Sequence, residues 1–163
     1  RLVEAFASLP GDVRGDRVLA LAGPPGWETD ATIAAARRHA DVVRPLGFVP
    51  DAELPALYRG ADLFAYPSLY EGFGLPVLEA MRCGTAVLTS NVSSLPEVAG
   101  EAAVYVDPTD VADIAAGLER ALGDVDLRRR LAIVGLERAG AFSWSRCAGE
   151  TLDMLEHIAS EGS

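Results

Sequence analysis

Short apolar runs alternate with amphipathic stretches along most of this chain. The runs are Val18-Leu19-Ala20-Leu21-Ala22, Val42-Val43-Arg44-Pro45-Leu46, Leu63-Phe64-Ala65-Tyr66, Ala86-Val87-Leu88-Thr89 and Ala103-Val104-Tyr105-Val106. Between them apolar positions recur at helical spacing near residues 29–40, 51–60, 75–84, 94–99 and 110–122. Runs without apolar/polar alternation predict strands buried on both faces, as in a parallel sheet covered by helices. The lengths between runs suit right-handed crossovers. Beyond residue 107 only helical spacing remains, over about 109–123, 125–140 and 144–159. The predicted fold is α/β: a Rossmann-like, doubly wound parallel sheet with C-terminal helices, forming one domain over 1–163. In such sheets ligands bind beyond the carboxyl ends of the strands.

One of those strand ends carries a distinctive loop. After Leu63-Phe64-Ala65-Tyr66 come Pro67-Ser68-Leu69-Tyr70 and then Glu71-Gly72-Phe73-Gly74-Leu75-Pro76-Val77-Leu78-Glu79-Ala80-Met81. Gly72 and Gly74 permit a tight loop and close backbone approach. Pro76 suits the first turn of a helix, where its missing N–H costs nothing. Leu75, Leu78 and Met81 are expected on the buried face of that helix. The N–H groups near Phe73 to Leu75 then point out of a helix N-terminus, which favours an anion. Two carboxylates beside an anion site make sense for a ligand with hydroxyl pairs on either side of its phosphates. A carboxylate accepts two charge-assisted hydrogen bonds from a vicinal diol. A nucleotide sugar has that shape, with Glu71 at the sugar and Glu79 at the ribose. Spacing alone carries nothing, because a chain with twelve glutamates yields such a pair by chance. The specificity lies in the whole string of residue types behind a buried strand.

Composition narrows the ligand classes. The formal net charge of −10 argues against nucleic acid as a partner. All basic residues are Arg, so no lysine of this chain grips a phosphate or forms a Schiff base. Cys83 and Cys147 sit in apolar helical patterns and are expected to be buried free thiols in a reducing compartment. No His, Cys or Asp grouping has metal-ligand spacing, so no metal or other cofactor is expected. His39 and His157 read as exposed helix residues, and Arg128-Arg129-Arg130 as a solvated helix face. Tyr66 and Tyr70 read as packing residues near the loop. Ser90 to Ser94 form a polar loop after a strand, whose hydroxyls either cap the helix at Leu95 or face a ligand. No apolar run approaches the ~20 residues of a membrane span.

The chain resembles the C-terminal domain of the retaining GT-B glycosyltransferases, the large family that includes bacterial mannosyltransferases and relatives of sucrose synthase and glycogen synthase. Besides the Glu71 to Met81 string, the likeness rests on Gly47-Phe48-Val49-Pro50 with Glu53-Leu54 and Leu57-Tyr58. It extends over Ala61-Asp62-Leu63-Phe64, Pro67-Ser68, Gly84-Thr85-Ala86-Val87, the segment Ser90 to Gly100, Ala102-Ala103 and Trp144. The resemblance implies that Glu71 is the candidate catalytic residue and contacts the donor sugar, and that Glu79 holds the ribose. It implies that Gly72, Phe73, Gly74 and Leu75 line the sugar and phosphates, and that Leu46, Gly47, Phe48 and Val49 face the base. It implies metal-independent transfer of a hexose from a nucleoside diphospho-sugar to an acceptor hydroxyl, with retention. The Ser90 to Val98 loop is most similar to mannosyltransferases that use GDP-mannose; UDP-glucose is the next donor considered.

The opening residues Arg1 to Phe6 read as a helix already under way, so the chain is expected to be truncated before the first strand of its domain. In the family an Arg and a Lys that neutralise the diphosphate lie ahead of that helix, and their absence predicts that this chain alone transfers no sugar. The absent strand is expected to leave a gap in the sheet, and the N-terminal acceptor domain is expected as a partner from the same parent. The expected location is cytoplasmic, where nucleotide sugars are made, with peripheral membrane contact where the acceptor is a lipid. Two alternatives stand beside this reading. A sugar-nucleotide epimerase of the same fold needs an acidic and histidine arrangement that is not seen here, whereas a non-catalytic nucleotide-binding module is compatible with this chain.

Overall fold

A computed structural model describes residues 1–24 and 30–161. Its strands are β1 (Leu19–Ala22), β2 (Val43–Gly47), β3 (Phe64–Tyr66), β4 (Val87–Ser90) and β5 (Ala103–Val106). Every predicted run is a strand. The helices are α1 (Leu2–Ala7), α2 (Gly11–Arg14), α3 (Asp30–Arg38), α4 (Leu54–Gly60), α5 (Leu75–Arg82), α6 (Leu95–Ala99), α7 (Val111–Gly123), α8 (Val125–Gly140) and α9 (Trp144–Glu161). The short α2 is an addition to the sequence reading. Residue 29, placed at the start of a helix, lies outside the described residues.

All strand pairs are parallel. β4 lies between β3 and β5, with Val87 opposite both Phe64 and Ala103. Its four residues are all buried. Leu88 packs with Val104, Val106, Ile114 and Leu118 on one face. Val87 packs with Val77, Met81, Leu95 and Val98 on the other. Helices therefore cover both faces of this sheet, as a doubly wound fold requires. The close approach of α7 is set by Gly117, where an added Cβ would lie 2.4 Å from Val106 Cγ1.

The sheet is split, as expected. β1 and β2 form a separate two-stranded piece among the described residues. A cavity of about 940 Å³ lies between the pieces, lined by all of β1 on one side and all of β3 on the other. The strands beside this gap depart from the expectation of burial on both faces. β1 alternates between half-buried and exposed residues, and β2 is buried only at Val43. Apolar runs predict the strands, but among the described residues only β4 has a packed layer on each side and a strand on each edge. Cys147 is also exposed rather than buried, while Cys83 is half-buried; both are free thiols.

Candidate functional site

The loop after β3 turns into α5 at Gly74, whose φ of 104° and ψ of 40° disfavour an L side chain. An added Cβ at Gly74 would also lie 2.8 Å from Leu95 Cδ2. Pro76 sits in the first turn, and no side chain caps the helix. Its N-terminus is thus left open, as an anion site requires. Gly72 differs from Gly74: its φ is not left-handed, and nothing lies within 4 Å of the Cβ position. The fold does not require glycine there. The buried face of α5 consists of Val77, Leu78, Ala80 and Met81. Leu75, expected on that face, is 45% exposed at the loop's mouth.

Glu71 is tightly held. Its Oε1 accepts hydrogen bonds from Tyr66 Oη at 2.6 Å and Ser68 Oγ at 2.8 Å. Its backbone N–H donates to Ser93 Oγ at 3.0 Å, and the same hydroxyl donates to its carbonyl. Ser94 Oγ donates to the carbonyls of Glu71 and Phe73. Ser93 adopts a φ of 55°, the one left-handed non-glycine residue described. These two serines correct the capping alternative: Ser94 occupies the N-cap position of α6, but its side chain makes no cap hydrogen bond. Both hydroxyls bind the backbone of the neighbouring loop instead.

Glu79 lies one turn into α5 and is exposed. Its Oε2 accepts from Tyr58 Oη at 3.1 Å. Tyr58, on α4, is buried, and Thr85 Oγ1 donates to its carbonyl at 2.7 Å. Burial first, then the charge and hydrogen bond of Glu79, push the Tyr58 phenol well above the usual tyrosine range. Burial and the bond to Glu71 do the same to Tyr66. Sequence reasoning does not single out Tyr58 or Ser68 as site residues, and it reads Tyr66 as a packing residue near the loop. The available signal was that an interior tyrosine needs a hydroxyl partner.

The stretch expected at the base closes β2. A bulge there pairs Ala22 with Gly47 and leaves Leu46 without a partner; Gly47 has a φ of 69°. Phe48 is 71% exposed. Leu46, Phe48 and Val49 line a shallow cavity of about 440 Å³ with Leu57. Phe48 and Val49 also reach the larger cavity, together with Tyr58, Tyr66, Pro76 and Glu79. Glu71, Gly72, Phe73 and Leu75 do not line it. Phe73 instead packs edge-on against Phe142 at 6.0 Å. The predicted residues therefore form two groups: Leu46 to Val49 at the end of β2 with Glu79 across from them, and Glu71 to Leu75 on the loop that enters α5.

Elsewhere, His39 lies just past the end of α3, is half-buried rather than exposed, and pairs with Glu4 at 3.0 Å. Arg128 donates to the carbonyls of Ala121 and Leu122 at the end of α7, so it is not simply a solvated charge. Among the described residues no three His, Cys, Asp or Glu side chains are arranged to hold a metal ion, and no helix is long and apolar enough to cross a membrane.

Residues 1–137 match the model of the family "Glycosyl transferases group 1". The chain is 45% identical over 154 residues to the O-antigen chain mannosyltransferase B of Escherichia coli, covering 93% of this chain and 40% of that protein. It is 47% identical over 116 residues to the serotype-specific mannosyltransferase WbdA of Escherichia coli, covering 71% of this chain and 13% of that protein. The chain thus spans well under half the length of these relatives. The structure matches that of Anabaena HepE in complex with UDP-glucose with a TM-score of 0.82 at 21% identity, over 96% of this chain and 44% of that one. That likeness concerns the fold. The family match and the close mannosyltransferase relatives together place this chain among the group 1 glycosyl transferases.

Proposed function

We propose that this chain forms the donor-binding half of a retaining glycosyltransferase, which moves a hexose from a nucleoside diphospho-sugar to an acceptor hydroxyl. Mannose, carried as GDP-mannose, is the favoured donor sugar. The observation that carries this reading is the pair of tyrosine-bonded carboxylates, Glu71 and Glu79, on either side of an uncapped helix N-terminus. The helix end suits the diphosphate, Glu71 a sugar diol and Glu79 the ribose diol. Phe48 and Val49, with Leu46 and Leu57, offer an apolar wall for the base in the shallow cavity beside the end of β2. Identity to mannosyltransferases of 45–47% supports the choice of mannose. A neighbour of the same fold crystallised with UDP-glucose supports the donor class.

Transfer is assigned to the full-length protein, whose remaining part supplies the acceptor side. The reaction proposed is metal-independent and takes place in the cytoplasm, with peripheral membrane contact where the acceptor is a lipid. The test is calorimetric titration of full-length protein with GDP-mannose and UDP-glucose, comparing wild type with Glu79→Ala. Saturable binding of one donor, weakened in the variant by about 1.5–3 kcal/mol, is expected for loss of hydrogen bonds to a charged group. A folded protein that binds neither would defeat the reading.

A further inference from the structure

Each site carboxylate offers a ligand only part of itself. Glu71 Oε1 receives two hydroxyl donors, Tyr66 and Ser68, which fill its lone-pair directions. Oε2 is left for a ligand. Glu79 Oε2 receives only Tyr58, at 3.1 Å. Glu79 keeps enough acceptor capacity for a bidentate diol.

The two phenols are not independent. Tyr58 meets Phe64 edge-on, with ring centroids 5.2 Å apart. Phe64 stacks on Tyr66 at 5.7 Å and 17°. Three rings from α4 and β3 thus form one rigid ladder beneath the loop. It fixes where each phenol oxygen sits, and through those oxygens where each carboxylate sits. A glutamate free in solvent populates many rotamers, and ordering it on binding costs affinity. Holding it beforehand removes that cost. The ladder packs against the interior of α5, so its spacing follows from the core and not from the loop.

We propose that Tyr58 and Tyr66 are the positioning residues of the donor site: Tyr58 aims Glu79 at the ribose, and Tyr66 aims Glu71 at the transferred sugar. This rests on the donor-binding reading of the two carboxylates. It makes two separable claims. Tyr58 governs how well the site tells a ribonucleotide from a deoxyribonucleotide. Tyr66 governs how much the sugar adds to the affinity of the nucleotide.

Full-length Tyr58→Phe and Tyr66→Phe, which keep both rings, test this with Glu79→Gln and Glu71→Gln beside them. The ligands are GDP, 2′-deoxy-GDP and GDP-mannose, titrated by calorimetry; the uridine series replaces them if UDP-glucose is the donor that binds. In Tyr58→Phe the preference for GDP over 2′-deoxy-GDP is expected to fall about fivefold to tenfold, following Glu79→Gln. In Tyr66→Phe the preference for GDP-mannose over GDP is expected to fall by a similar factor, following Glu71→Gln. Equal weakening of all three ligands by either tyrosine variant would reduce that tyrosine to packing and overturn the proposal. So would tyrosine variants that bind like wild type while the glutamine variants lose their preferences. If the glutamine variants keep both preferences, the carboxylate reading itself fails, and the tyrosine roles fall with it.

Discussion

Replacing Gly74 by alanine is expected to destabilise this domain by about 2–4 kcal/mol, through two costs that both lie at one backbone position. A left-handed backbone costs an L residue ~1–2 kcal/mol, and the φ of 104° at Gly74 lies beyond even the favoured left-handed well. The new methyl would also sit 2.8 Å from Leu95 Cδ2. Leu95 is fully buried and cannot swing into solvent, so overpacking adds ~1–3 kcal/mol. The stiffer unfolded chain returns ~0.4–1 kcal/mol. The matched control is Gly72→Ala, two residues earlier, where φ is not left-handed and no atom lies within 4 Å. Its stability is expected to stay within ~0.5 kcal/mol of wild type, while binding of GDP-mannose weakens because the methyl projects into the space proposed for the donor. Urea unfolding of full-length protein measures the first effect and calorimetry the second. A Gly74→Ala change under ~1 kcal/mol, or one matched by Gly72→Ala, would refute the assignment of structure to one glycine and ligand space to the other.

Gly117→Ala should gain ~1 kcal/mol of helix propensity yet lose more by pressing a methyl against Val106 and Leu88. A net loss of about 1–2 kcal/mol in urea unfolding is expected, and a stabilised variant would contradict the packing described. Tyr58 and Tyr66 have phenol pKa values raised above their unfolded value near 10, chiefly by burial. The folded state therefore holds these protons longer than the unfolded one. Their contribution is fully present below pH ~10 and declines as pH rises beyond it. Denaturation midpoints from pH 8 to 11 should fall less steeply in a Tyr58→Phe/Tyr66→Phe double variant; an equal slope would refute the linkage. At Ser93, both Ser93→Ala and Ser93→Gly lose the hydroxyl that clasps Glu71, but only glycine relieves the φ of 55°. Glycine is expected to be the more stable by about 0.5–1 kcal/mol in thermal unfolding, and the reverse order would show that the left-handed backbone is not strained.

What the sequence revealed depended on whether a feature repeats locally. Strands β3, β4 and β5 and helices α5 to α9 follow from apolar periodicity, and their bounds lie within a few residues of those expected. The loop from Glu71 to Leu75 was legible because residue types at fixed offsets mark a strand-to-helix turn. Burial on both faces was not legible for β1 and β2, because it depends on which strands neighbour them. The exposure of Leu75 and Cys147 was missed for the same reason: helical spacing gives a face but not what covers it. The partners of Glu71 and Glu79 were least legible. Ser93 lies 22 residues from Glu71, and Tyr58 lies 21 residues from Glu79. Single polar side chains meeting across such separations leave no periodic trace.

These long-range partners explain why the site loop can be short and still well defined. It has no helix cap of its own, and one of its glycines is under no structural demand. Its shape comes from the next crossover. Ser90 Oγ donates to the carbonyl of Ser68, Ser93 and Ser94 bind the backbone of Glu71 and Phe73, and Leu95 fills the space beside Gly74. All four contacts come from the stretch that runs from the last residue of β4 to the first residue of α6, and β4 is the most buried strand described. The rigidity of the central strand is passed through that segment to the first loop. The ring ladder meanwhile fixes the carboxylates from below. Backbone and side chains of the site are thus held by separate parts of the core. A substitution in the Ser90 to Leu95 segment should disturb the amides at the start of α5, proposed here to face the phosphates, without freeing Glu79, whose tyrosine belongs to α4. A substitution in the ladder should do the reverse.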